Sequence, residues 1–147
     1  MKTFLKLIVL TVLLNLVRYF VGGPIEAVTI MEPMHKVMPM FPDVFDNAFT
    51  TADFTRSLFY NFVMWFAAAL GFHLMAPSLK GHILVKSFAG YGVMCLFFIG
   101  LAAVYMNHYV DAVKTFYVWS MIDAVIVFSV VAAANAFLYP LFFRKGR

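Results

Sequence analysis

Arg18 and Asp123 stand inside long apolar runs of this chain. An ionised side chain in hydrocarbon carries a large free-energy cost, so each must face a bundle interior, a watery cavity or the other. Both have polar company. Thr11, Asn15, Arg18, Tyr19 and Gly22 recur at helical spacing and make one stripe. Ser57, Asn61, Met64, Ala68 and Gly71 make a second, with Tyr60 beside Asn61. Arg18, Asp123, Asn15, Tyr60 and Asn61 are therefore the candidate binding residues. Two readings compete for them. One is a structural ion pair between Arg18 and Asp123 that fixes helix registry. The other is a small polar pocket in the outer half of the bilayer.

A second constellation pairs acids with histidines. Glu32-x-x-His35 and His108-x-x-Asp111 each place a carboxylate and an imidazole three residues apart. On a helix each pair projects from one face, and the mixed donor set suits zinc, iron or manganese. Glu32, His35, His108 and Asp111 are the candidate metal ligands. The competing reading is ordinary polar loop residues at the headgroups. Met31, Met34, Met38 and Met40 surround His35, and thioethers select Cu(I). Their spacing is irregular, which fits an adaptable apolar surface better. His73 and His82 lie too near one membrane surface to bury a haem and read as interfacial. Cys95 is the only cysteine, which excludes an intrachain disulfide and a Cys-rich metal site. No GxSxG, HExxH or P-loop pattern occurs, so no catalytic residue is assigned and no particular cofactor is implied.

The elements that position these residues follow from composition. The chain is 64% hydrophobic and 12% charged, against about 45–50% and about 25% in soluble domains. That excess of apolar side chains requires lipid as solvent. Four apolar runs, at about 4–22, 56–76, 83–106 and 114–141, are long enough to span a core of about 30 Å. The first resembles a signal peptide in its flanking lysines. No small-residue cleavage site follows it, so it is expected to stay as a helix. Gly22-Gly23-Pro24 reads as its stop. The expected fold is a single all-α membrane domain of four transmembrane helices, with one long loop, 23–55, between helices 1 and 2. Four prolines in that loop allow only short helical pieces, one of them opened by Pro42-Asp43 and lying on the membrane surface.

Charge asymmetry sets the expected orientation. Lys2, Lys6, Lys80, Lys86, Arg144, Lys145 and Arg147 fall on one side, and Lys36, Arg56 and Lys114 on the other. The positive-inside rule places both termini in the cytoplasm and loop 23–55 outside or in the periplasm, in a plasma or inner membrane. Tyr105, Tyr109, Tyr117 and Trp119 then form an outer aromatic belt, and Tyr139, Phe142 and Phe143 an inner one. Small residues make further stripes, Ala89, Gly92, Gly100 and Ala103 on the third helix and Ser129, Ala132 and Ala136 on the fourth. Such faces let helices approach closely in lipid, so the second is a candidate for self-association or contact with other membrane subunits. No basic face interleaved with aromatics points to nucleic acid. The preferred expectation is a non-catalytic subunit or assembly partner of a larger membrane complex. The alternatives are an oligomeric small-solute or ion transporter or channel with an outer-leaflet polar site, and a membrane enzyme or metal carrier using the external Glu, His and Met groups.

Overall fold

The computed structural model describes residues 2–45 and 50–143. Helix α1 (Lys2–Val17) runs through a π-helical turn (Arg18–Gly22) into α2 (Gly23–Thr29). Then come α3 (Met31–Val37), a short 3-10 turn (Met38–Met40), α4 (Thr51–Met75), α5 (Ile83–Met106) and α6 (Asp111–Phe143). Among the described residues every regular element is helical. Four segments are long and apolar enough to cross a membrane: Lys2–Thr29, Thr51–Met75, Ile83–Met106 and Asp111–Phe143. The all-helical membrane fold expected from the sequence is thereby present.

The first span departs from expectation, because it does not stop at Gly22-Gly23-Pro24. In a regular helix Pro24 would strip a donor from the ladder and drive its ring into the carbonyl four residues back. The chain widens instead. Gly23 donates its N–H to the Arg18 carbonyl, the i→i+5 bond of a π turn. Pro24 then falls in the first turn of α2, where a missing N–H is tolerated. Loop 23–55 shrinks accordingly. Its α3 segment lies along α6, and Ile30 and Val37 are buried beside it, as is Val113 of α6. The surface helix expected at Pro42-Asp43 falls partly on residues 46–49, outside the described residues. Residues 42–45 form a turn and a bend, with Phe45 packed on Phe116 at 4.7 Å.

Helix α4 starts earlier than expected, because Thr50 and Asp53 build a capping box. Asp53 donates its N–H to Thr50 Oγ1 at 3.3 Å, and Thr50 donates its N–H to Asp53 Oδ2 at 3.0 Å. Gly81, at φ +96°, turns the chain into α5. His82 caps that helix by accepting Leu84 N–H at 3.3 Å. Consecutive spans run in opposite directions around a core of Leu10, Leu14, Trp65, Phe72, Tyr91 and Val131, and α4 and α6 run the same way, Trp65 meeting Phe128 and Phe72 meeting Tyr139. Three bonds tie one end together. Lys6 Nζ donates to the Phe142 carbonyl at 2.7 Å, Lys86 Nζ to the Ala76 carbonyl at 3.1 Å, and His73 Nδ1 bonds the Tyr139 hydroxyl at 2.9 Å. Tyr139 is thus more than a belt residue, since it also packs edge-on against Phe72 at 5.0 Å.

The small residues do not all lie where the stripes suggested. Ala132 and Ala136 are buried in the chain's own core, and only Ser129 of that trio is exposed. Packing of α6 against α5 within the bundle covers Ala132 and Ala136. On α5 the close approach is made by Gly90. A Cβ there would sit 2.8 Å from Phe72 Cδ2, whereas at Gly92 and Gly100 it would meet open space. Gly90→Ala is therefore expected to push α5 off α4 and destabilise the bundle by about 1–3 kcal/mol. Thermal unfolding in detergent should show a lower Tm for Gly90→Ala and little change for Gly100→Ala. Equal shifts would mean that the α4–α5 contact does not limit packing.

Candidate functional site

The π turn decides what Arg18 meets. Residues 18 and 26 are eight apart, and eight residues of ideal α-helix leave them about 80° apart around the axis. The extra residue absorbed by a π turn brings them to within about 20°. Arg18 Nη2 accordingly lies 2.9 Å from Glu26 Oε1, with the glutamate side chain 3% exposed. The contact is a largely buried ion pair. The guanidinium also lies 4.8 Å from the Tyr19 ring. The partner expected for Arg18 was Asp123, and the ion pair instead joins Arg18 to its own helix. Continuation of the helix also deepens the site. Arg18 lies 11 residues before the end of α2, about 16 Å at helical rise.

Arg18 and Asp123 nonetheless meet at the wall of one cavity, about 260 Å³ in volume. Helix α4 contributes Asn61, Met64 and Trp65, α5 contributes Phe98, and α6 contributes Ser120, Ala124, Val127 and Phe128. Asn61 donates its amide to the Ser57 carbonyl at 3.0 Å, and Ser120 its hydroxyl to the Phe116 carbonyl at 3.0 Å. Their oxygens keep accepting capacity. Trp65 is wholly buried and stacks at 4.9 Å, tilted, on Phe128. Its indole N–H has no acceptor, and Asp123 Oδ1 has no donor. Both atoms belong to residues of this cavity wall. Tyr91 Oη and Asn135 Oδ1 are likewise unpartnered; Trp65 and Tyr91 share the packed core, and Asn135 donates to Ser87 Oγ at 2.9 Å.

Of the five candidate binding residues, the structure brings together Arg18, Asn61 and Asp123. Asn15 turns back on its own helix, donating to the Thr11 carbonyl at 3.0 Å. Tyr60 points outward and is 64% exposed. Glu26, Trp65 and Ser120 were missed. Trp65 and Ser120 had a signal, since they stand four residues after Asn61 and three before Asp123. Glu26 had none, because Gly-Gly-Pro reads as a helix end.

The candidate metal ligands do not converge. Glu32 takes Lys36 at 2.8 Å and Asp111 takes Lys114 at 2.9 Å, each on its own helix. The Lys36 ammonium holds the exposed Glu32 carboxyl below its usual range. Among the described residues no three His, Cys, Asp or Glu side chains gather to hold an ion. His73 and His82 are occupied by Tyr139 and a helix cap. Comparison with known proteins adds no relative, as no family model, no curated protein and no solved structure matches the chain.

Removing Arg18 alone strands a buried carboxylate. Arg18→Met should cost about 3–5 kcal/mol, and adding Glu26→Gln should recover much of it. A double-mutant cycle in detergent unfolding should give a larger coupling for Arg18 with Glu26 than for Arg18 with Asp123. The opposite ranking would restore Asp123 as the partner.

Proposed function

We propose that this membrane protein binds a small polar solute in its Arg18–Asp123 cavity and passes it across the bilayer, as an oligomeric transporter or channel does. The observation that carries this reading is a cavity of about 260 Å³ among the spans, with Arg18, Asn61, Ser120 and Asp123 on its wall. A polar cavity holds water or a ligand, whereas empty cavities are apolar. The volume is just below the range of about 300–1,000 Å³ typical of ligand pockets, which favours a small solute.

The chain belongs, on this proposal, in a plasma or inner membrane with both termini in the cytoplasm. The support is the excess of Lys and Arg at the end bearing Lys2, Lys6, Lys80 and Lys86. The cavity then lies in the outer half of the bundle. A second reading, the non-catalytic subunit, has its own support. The α5 face bearing Gly92 and Gly100 has open space over it, a surface that another membrane helix fits.

Two measurements test the proposal. In proteoliposomes, wild-type protein should support flux of its solute and Asp123→Asn should lower it at least tenfold. Equal flux would remove the cavity from the pathway. For orientation, Cys95→Ala provides a background, and single cysteines at Glu32 and Ser78 are labelled in intact cells with an impermeant thiol reagent. Position 32 should react and position 78 should not. The reverse pattern would invert the topology.

A further inference from the structure

Away from one end of the bundle, the described Lys and Arg side chains each sit on an acid. Arg18 meets Glu26 at 2.9 Å, Lys36 meets Glu32 at 2.8 Å, Arg56 meets Asp53 at 2.7 Å and Lys114 meets Asp111 at 2.9 Å. The end where α1 and α5 begin and α4 and α6 finish is different. It carries Lys2, Lys6, Lys80 and Lys86, and none of the four pairs with a carboxylate among the described residues. The sequence gives the reason, since residues 1–25, 54–110 and 124–147 contain no Asp or Glu. Those stretches build this whole end. Beyond Phe143 the chain adds Arg144, Lys145 and Arg147, outside the described residues.

Lys6 and Lys86 do make bonds, to the Phe142 carbonyl at 2.7 Å and the Ala76 carbonyl at 3.1 Å. A carbonyl accepts an N–H but carries no formal charge, so these bonds fix the ammonium groups without neutralising them. Each ammonium has three donors and keeps capacity for a second acceptor. The level is that of the headgroups, because Tyr139, Phe142 and Phe143 stand at the same end and aromatic residues favour the interface. Apolar surface lies beside the charges. Phe4, Leu5, Leu84 and Val85 are exposed next to Lys6 and Lys86, as acyl chains require. Clustered cations at headgroup depth are the electrostatic complement of anionic lipid.

We infer that this end of the bundle binds anionic phospholipid, with headgroup phosphates against Lys2, Lys6, Lys80 and Lys86 and acyl chains along the adjoining apolar faces. The Arg18–Asp123 cavity plays no part in it.

The full chain in neutral detergent tests it with three probes, phosphatidylglycerol, phosphatidylcholine and inorganic phosphate, read by native mass spectrometry and thermal unfolding. Phosphatidylglycerol should stay bound and raise Tm by several degrees, because a ligand of the folded state stabilises it. Phosphatidylcholine and inorganic phosphate should do neither. About 1 M salt, which shortens the Debye length to about 3 Å, should remove most of the rise. Lys2 and Lys80 are exposed and lie outside the ion pairs. The double variant Lys2→Gln with Lys80→Gln should therefore keep its lipid-free Tm and bind phosphatidylglycerol severalfold more weakly. Lys36→Gln with Lys114→Gln, which removes two paired lysines, should change that affinity little. Equal binding of phosphatidylcholine would overturn the inference, as the charge would then not matter. An equal rise with inorganic phosphate would overturn it in favour of a free-anion site. Equal losses in the two double variants would overturn the assignment to this end. The wild-type probe series decides the first two points even if a variant fails to fold.

Discussion

A polar atom inside a bilayer has no water to bond, so the chain itself must answer it. Most of the polar side chains in these spans are answered locally. Thr11, Asn15, Asn61 and Ser120 each donate to the carbonyl four residues back. Others are answered across the bundle, as Asn135 is by Ser87 and His73 by Tyr139. The largest demand comes from Arg18, and Glu26 meets it from the same helix. Against that background an unanswered atom is informative. The Asp123 carboxyl group stands out because it lies with Arg18, Asn61 and Ser120 on one cavity wall, whereas Trp65 and Tyr91 belong to the packed core.

The cavity depends on a backbone irregularity. Without the π turn, Glu26 would lie well around the axis from Arg18, and the guanidinium would be free to claim Asp123. With the π turn, Arg18 is occupied and the carboxylate on α6 is left facing the cavity. Pro24 is the residue that makes an ordinary helical turn unfavourable at this point. A proline six residues along the chain from Arg18 thereby favours the turn that aligns Arg18 with Glu26.

The fold was legible in the sequence wherever it depended on length and hydropathy. The bounds of α5 agree with its apolar run, and α4 and α6 extend beyond theirs because caps and amphipathic ends recruit polar residues into helix. Thr50 and Asp53 are an instance, as their reciprocal bonds carry α4 back to residue 51. The first span was misjudged for a physical reason. Gly-Gly-Pro ends most helices, but a widened turn accommodates it when the flanking sequence favours continuation. The site was legible in its charged members and not in their pairing. Arg18 and Asp123 are conspicuous as charges in apolar runs, and Asn61 stands in a polar stripe. Which acid neutralises Arg18 depends on a rotation of about 100° around the helix axis, and residue types do not encode it. The small-residue stripes misled similarly, because spacing gives a face and not what covers it.

The pairing of Arg18 with a residue of its own segment bears on biosynthesis. A nascent helix carrying a lone arginine must leave the translocon against a penalty of about 2.5–3.5 kcal/mol. Glu26 follows soon after Arg18, so the first helix can emerge into lipid already neutralised, before the other three spans exist. Asp123 is synthesised roughly a hundred residues later. By then Arg18 is already paired, and the last helix docks with Asp123 on the cavity wall that Arg18 shares.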